Sequence, residues 1–248
     1  MLPLKDDVPT QSFPLVTVTL IAVNVLVYLY EFVLGFPAQP SRAAAAAAER
    51  AYEGFIYDFG LVPCRIVGVC PGRLQTLLTE APPPWLTVFT SMFVHGGLFH
   101  VGGNMLYLWI FGNNVEDSMG KLRFLVFYLL CGVAAAAAQY VSDPRSAIPM
   151  VGASGAVSGA LGAYLILFPS ARVWTLVIFG FFWWRLVPVP ALVVLGFWIV
   201  LQVLNGLFTF GSGEPGGVAF LAHVGGFVAG MALVGVFRQR PRTAYRRR

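Results

Sequence analysis

The sequence predicts an all-α, polytopic membrane protein: a bundle of six transmembrane helices. Three observations carry this. Of 248 residues, 58% are apolar and 11% charged, against roughly 25% charged in an average soluble domain. The apolar residues gather into runs long enough for a hydrocarbon core, separated by short polar loops. Six of the sixteen Lys and Arg residues crowd into Arg238–Arg248, directly after the last apolar run, as in an anchor on the inner side of a membrane. The net charge of +5 does not indicate nucleic acid, because no aromatic-basic platform accompanies it.

The elements follow in order. Residues 1–12 are expected to be a short cytoplasmic segment; Met1–Asp7 has neither the basic stretch nor the apolar core of a cleaved signal peptide. The membrane domain is expected over 13–237. Its first span is Phe13–Leu34, and an external loop follows over about 35–84 with the acids Glu49, Glu53, Asp58 and Glu80. Within that loop Ala43–Ala48 is a strong local helix former. Cys64 and Cys70 enclose five residues there, and two readings stand side by side, a disulfide permitted outside the cytoplasm or two free thiols.

The second span is expected over Trp85–Phe111, then a polar turn at Gly112–Lys121, and a third span at Leu122–Val141. The fourth carries Val151-Gly-Ala-Ser-Gly155 at its head and stops near Pro169. Ser170–Pro190, rich in Trp and bracketed by Arg172 and Arg185, suits an interfacial connection better than a span. Ala191–Phe208 and Gly217–Phe237 are the fifth and sixth spans, and 238–248 is the basic cytoplasmic tail. An even span count puts both termini inside, with eleven of the sixteen basic residues.

The three histidines all lie in or beside expected spans, where ionisable groups are costly and mark function by default. His100 and Asn104 are four apart, on one helix face. Under the expected topology His100, Ser154 and His223 fall at comparable depth near the outer ends of three different helices. A buried serine hydroxyl is inert until a base takes its proton, so Ser154 with His223 suggests nucleophilic chemistry that calls for no cofactor. The N–H of Ser154, at a helix start, with His100 and Asn104 as side-chain donors, can face an oxyanion. An orienting carboxylate is not evident: Glu116 falls on the inner side and Glu31, near an outer end, stands in no motif, so a dyad is the better reading with Glu31 left open as a third member. Singly, each residue also fits ordinary helix packing. His95 and His100 share no helix face, which disfavours a metal site.

Four linked motifs, His95-Gly-Gly-Leu-Phe-His100-Val-Gly-Gly-Asn104, Gly112-Asn-Asn-Val-Glu116, Gly152-Ala-Ser-Gly155 and Ala222-His-Val-Gly-Gly226-Phe-Val-Ala-Gly230, resemble those of the rhomboid intramembrane serine proteases over roughly Trp85–Gly230. The resemblance implies Ser154 as nucleophile and His223 as general base, and an oxyanion hole of His100, Asn104 and the Ser154 N–H. Gly152 would shape the start of the helix, with His95 in a supporting place. It implies cleavage of transmembrane protein substrates near their outer ends, and by analogy a substrate gate at Phe197, Trp198 and the Thr209–Gly217 turn. A bacterial plasma membrane suits it.

Two positions depart from the family pattern. Ser158 stands where many members stack an aromatic ring on the catalytic histidine, so His223 is expected to be either less rigidly held or packed by another span. Cys64-Arg65 replaces a Trp-Arg pair. A catalytically silent relative that binds membrane clients would lack the serine or the histidine, and both are present. A transporter would show a polar path to both faces.

Overall fold

The computed structural model of the chain describes residues 2–75, 78, 81–179, 183–212 and 219–239. Most of the Thr209–Gly217 turn and nearly all of the basic tail lie outside them, as do Gly180, Phe181 and Phe182 at the centre of the Ser170–Pro190 connection.

The chain is mostly helical. It opens with strand β1 (Leu2–Asp6), then helix α1 (Leu15–Leu34). This helix runs uninterrupted because no Gly or Pro falls inside it. Its first turn lacks a cap of its own; instead Glu116 accepts from the Val16 N–H at 3.0 Å and from the Thr17 N–H and hydroxyl, both at 2.8 Å. A carboxylate there meets the unpaired donors and the positive end of the helix dipole.

The external loop is built from α2 (Arg42–Phe59), α3 (Pro63–Val67) and α4 (Gly72–Gln75). Ser41 caps α2 by accepting from the Ala44 N–H at 3.2 Å. Cys64 and Cys70 form a disulfide, which resolves the two readings left by the sequence. Arg65 donates to the carbonyls of Tyr57, Asp58 and Pro82, tying α2 to the segment leading into α5 (Pro84–Thr90).

The expected second span is divided. After α5 the chain turns through Ser91–Gly97, and a new rod starts at Leu98: α6 (Leu98–Tyr107), a π-helical turn (Leu108–Gly112) and α7 (Asn113–Met119). The expected polar turn at Gly112–Lys121 is therefore helical as far as Met119, and the break comes at Gly120, with φ +80°. The reason is that its polar residues have partners on neighbouring segments: Glu116 caps α1, Asp117 accepts from the Gln11 and Ser12 N–H groups, and Asn114 donates to Asp6.

Helix α8 (Lys121–Ser142) and the shorter α9 (Ser154–Leu167) follow. The Ser170–Pro190 connection is a hairpin of β2 (Arg172–Phe179) and β3 (Trp183–Pro190), and β1 adds to it as an antiparallel third strand. The expectation of a wholly α fold is thus corrected to a mostly helical one with a three-stranded sheet, to which the N-terminal segment contributes β1. The cause is visible in the period-two alternation of Val173 and Thr175, both buried, with exposed Arg172 and Trp174. Helices α10 (Ala191–Ser212) and α11 (Phe220–Phe237) complete the described fold.

Among the described residues four helices are long and apolar enough to cross a membrane: Leu15–Leu34, Lys121–Ser142, Ala191–Phe208 and Phe220–Phe237. Their outward residues are apolar and exposed, for example Leu26, Leu122, Leu207 and Val236, as a lipid-facing surface requires. This is an integral membrane protein. Its inner core gathers Phe111, Phe124, Phe127, Tyr128 and Tyr164, all fully buried.

Candidate active site

Helix α9 is almost entirely buried from Gly155 to Tyr164, which is why it can be small-residue-rich and still central. It packs closely on α11 through glycines. A Cβ on Gly226 would collide with the Gly155 carbonyl oxygen, and one on Gly230 with that of Gly159. In lipid, apolar burial gives no drive for helices to associate, so such backbone approach supplies the packing contact instead. The approach also fixes the first turn of α9 beside the first turn of α11.

Those two turns carry Ser154 and His223. The serine Oγ lies 2.7 Å from His223 Nε2, a hydrogen-bond distance across two helices. The expected pair is therefore in contact. The Ser154 side chain is the first of α9, so its backbone N–H is among those without an intrahelical acceptor.

Gly152 shapes the approach to α9. Its φ of +114° is open to glycine but strained for other residues, and a Cβ there would stand 2.6 Å from His100 Nε2 and 3.5 Å from Asn104 Nδ2. The Gly152 N–H donates to the Ser91 carbonyl at 2.8 Å. Both α6 side chains thus converge on the backbone just ahead of Ser154. Asn104 Nδ2 is buried without a hydrogen-bond partner, a donor left free in a wall of the same cavity. That cavity, of about 1000 Å³, is lined by His100, Asn104, Gly152, Ser154, Trp198 and His223 among others.

His95 sits apart from the pair but supports it. It is fully buried; its Nδ1 is 3.2 Å from the Phe93 carbonyl, and its Nε2 accepts from the Ala153 N–H at 3.4 Å. The backbone N–H of His95 donates to both oxygens of Glu31 at 3.1 and 3.2 Å. Glu31, which stood in no motif, thus anchors the turn that pins the residue before the serine. His95 and His100 rings meet edge to face, with centroids 5.2 Å apart.

Two neighbours of His223 come from α10. Gln202 Oε1 lies 2.8 Å from His223 Nδ1, and the Trp198 indole packs on the imidazole with centroids 5.9 Å apart. Trp198 was expected at a substrate gate and Gln202 carried no expectation; the available signal was their spacing of four in a mostly apolar run. Ser158 is turned away from the imidazole, its hydroxyl donating to the Ser154 carbonyl at 2.6 Å. No group of three or more His, Cys, Asp and Glu suited to a metal occurs among the described residues.

The fold and this site define a class: a polytopic helical membrane protein with a serine–histidine pair at a cavity between its helices. A sequence model of the Rhomboid domain matches residues 82–240, more than half of the chain, and the chain belongs to the rhomboid family. Among its relatives, Rhomboid protease GluP of Bacillus subtilis strain 168 is 34% identical over 149 residues, 60% of this chain and 26% of that protein. Rhomboid protein 1, mitochondrial, of Saccharomyces cerevisiae is 31% identical over 151 residues, covering 59% and 40% of the two chains. Rhomboid-like protein 11, chloroplastic, of Arabidopsis thaliana is 28% identical over 167 residues, covering 64% and 55%. The alignments thus span from about a quarter to about half of these relatives' lengths.

Proposed function

We propose that this chain is an intramembrane serine endopeptidase that cleaves transmembrane segments of other proteins near their outer ends. The observation that carries the reading is the 2.7 Å contact between Ser154 Oγ and His223 Nε2 at the wall of a cavity between the helices that His100 and Asn104 also line. Family membership and relatives named as proteases support it.

The chemistry follows from the groups. His223 Nε2 takes the Ser154 proton as the oxygen attacks the scissile carbonyl. The resulting oxyanion meets the Ser154 N–H, Asn104 Nδ2 and His100, each such donor being typically worth about 2.7–4 kcal/mol. His223 then gives its proton to the leaving amine, and water, deprotonated by the same nitrogen, releases the acyl group. A helical peptide carbonyl is already hydrogen-bonded along its helix, so the substrate must unwind locally before it reaches the serine.

In this reading six segments cross the bilayer: α1, the α6–α7 rod, α8, α9, α10 and α11. Both termini face the cytoplasm and the disulfide loop faces outward, as suits a bacterial plasma membrane and oxidation of Cys64 and Cys70. Labelling with a fluorophosphonate probe tests the function. The wild type should react at Ser154 and cleave a reporter transmembrane segment, and Ser154→Ala should do neither; equal cleavage by that variant overturns the reading, and a folded wild type inert to both assays leaves a client-binding relative.

A further inference from the structure

An imidazole has two nitrogens, and the contact with Ser154 uses one of them. The other, Nδ1, is 2.8 Å from Gln202 Oε1. One helical turn earlier on α10, Trp198 lies against the ring with its plane inclined by 38°. Positions four apart share a helix face, so a single face of α10 supplies both the ring's packing partner and its polar partner. Among the described residues no carboxylate is hydrogen-bonded to His223, and Glu31 is engaged with the His95 N–H.

We propose that Gln202 is the positioning residue for His223, fixing its tautomer and orientation as a carboxylate does in a Ser-His-Asp triad. The inference rests on the reading of Ser154 as nucleophile and His223 as base. With Oε1 as acceptor, the proton sits on Nδ1 and Nε2 turns a lone pair toward the serine hydroxyl. The opposite tautomer sets an N–H against Ser154 and leaves the serine proton without an acceptor. When the imidazole gains the serine proton, both nitrogens carry hydrogen, and Nδ1–H keeps its acceptor throughout.

An amide suits this depth. A carboxylate held within the bilayer is costly to keep ionised, whereas a neutral amide orients the ring by its dipole alone. The holder also comes from a third helix: Ser154 is on α9 and His223 on α11, and the ring is clamped from α10. Of the two alternatives that Ser158 leaves open, this is packing by another span.

The test uses the full-length chain in detergent and in vesicles, with a reporter transmembrane segment as substrate. Gln202→Leu should lower kcat roughly tenfold or more, the equivalent of one neutral hydrogen bond lost in the transition state, with KM little changed. Gln202→Glu retains an acceptor when ionised but offers an O–H donor when protonated, so its rate should exceed that of Gln202→Leu and rise with pH as the carboxyl ionises. In chain labelled with ¹⁵N-histidine, with the His223 signals found by comparison with His223→Ala, the wild type should show the Nδ1–H tautomer and Gln202→Leu a mixture.

Wild-type kcat in Gln202→Leu, or an unchanged tautomer, overturns the proposal. If Gln202→Leu does not fold, Gln202→Met, unbranched and of similar length, carries the same comparison. Ser154→Ala run in parallel separates the two claims. Cleavage by that variant defeats the protease reading itself, whereas its silence beside a fully active Gln202→Leu defeats only the role of Gln202.

Discussion

The Tyr164 hydroxyl donates to Asp6 Oδ2 at 2.5 Å, joining the far end of the serine-bearing helix to the first strand of the chain. The same oxygen accepts from Asn114 Nδ2 at 2.7 Å. Residues 6, 114 and 164 thus fasten the β-sheet, the α6–α7 rod and α9 at one point. Burial raises the Asp6 carboxyl from 3.8 to about 6, against the opposing effect of its bond to Tyr164.

This shift gives a stability signature with a definite sign. Between pH 3.8 and about 6 the folded chain holds a proton that the unfolded chain has released, so the contribution of Asp6 is fully present below that window and is lost as pH rises through it. Asp6→Asn keeps an acceptor for Tyr164 without a charge to bury. It should flatten that part of the stability profile and unfold at a higher temperature than wild type at neutral pH. Thermal unfolding in detergent across the window measures it, and an unchanged slope would show that Asp6 does not titrate there.

The glycine contacts between α9 and α11 give a sharper contrast. Gly226→Ala places a methyl against the Gly155 carbonyl, and Gly230→Ala one against that of Gly159, whereas Gly235→Ala on the same helix meets nothing within 4 Å. Overpacking of this kind typically costs 1–3 kcal/mol, and here it also separates the two turns that bring Ser154 to His223. Both inner variants should lose fluorophosphonate labelling by more than they lose thermal stability, and Gly235→Ala should match wild type in both. Normal labelling of Gly226→Ala would mean the helices tolerate separation without losing the pair.

How much of this was legible in the sequence depends on whether a signal was local. The first span and the run after Ser154 could be read because length and apolarity suffice for a helix in lipid. The hairpin at Ser170–Pro190 could not, since apolar aromatic residues beside arginines look the same on an interfacial helix as on strands, and the partner strand lies at the other end of the chain. Glu116 and Asn114 looked like turn residues because their partners, Thr17 and Asp6, are about a hundred positions away. Gln202 was missed for a similar reason: its spacing of four from Trp198 gains meaning only once the fold places the imidazole opposite both. Ser154, His223, His100 and Asn104 were recognisable as a set because they sit in three glycine-rich motifs, His100 and Asn104 sharing one.

The serine and histidine should behave as one unit. Removing either partner removes the same proton transfer, so Ser154→Ala, His223→Ala and the double variant should all fall to a common residual rate rather than multiply their losses. Gly152→Ala, which crowds His100 and strains a backbone of positive φ, should instead reduce kcat while leaving the pair in place. Single-turnover cleavage of a reporter segment distinguishes these cases. A double variant far below both singles would show the two residues acting in separate steps.

Glu116 makes the last prediction, because it does for α1 what no residue of that helix does for itself. It receives three hydrogen bonds, from the Val16 N–H, the Thr17 N–H and the Thr17 hydroxyl, at 2.8–3.0 Å, and it is 2% exposed. Removing the carboxylate strands those donors where water cannot replace it, at about 1.5–3 kcal/mol for a bond to a charged group. Glu116→Ala should therefore destabilise the chain strongly, and Glu116→Gln, which keeps one acceptor and loses the charge, should fall between. Asp117→Ala removes only bonds to the exposed Gln11 and Ser12 and should cost less than either. Unfolding titrations of the three variants set the order, and an Asp117→Ala loss equal to that of Glu116→Ala would mean that α1 is held by its approach segment rather than capped at its first turn.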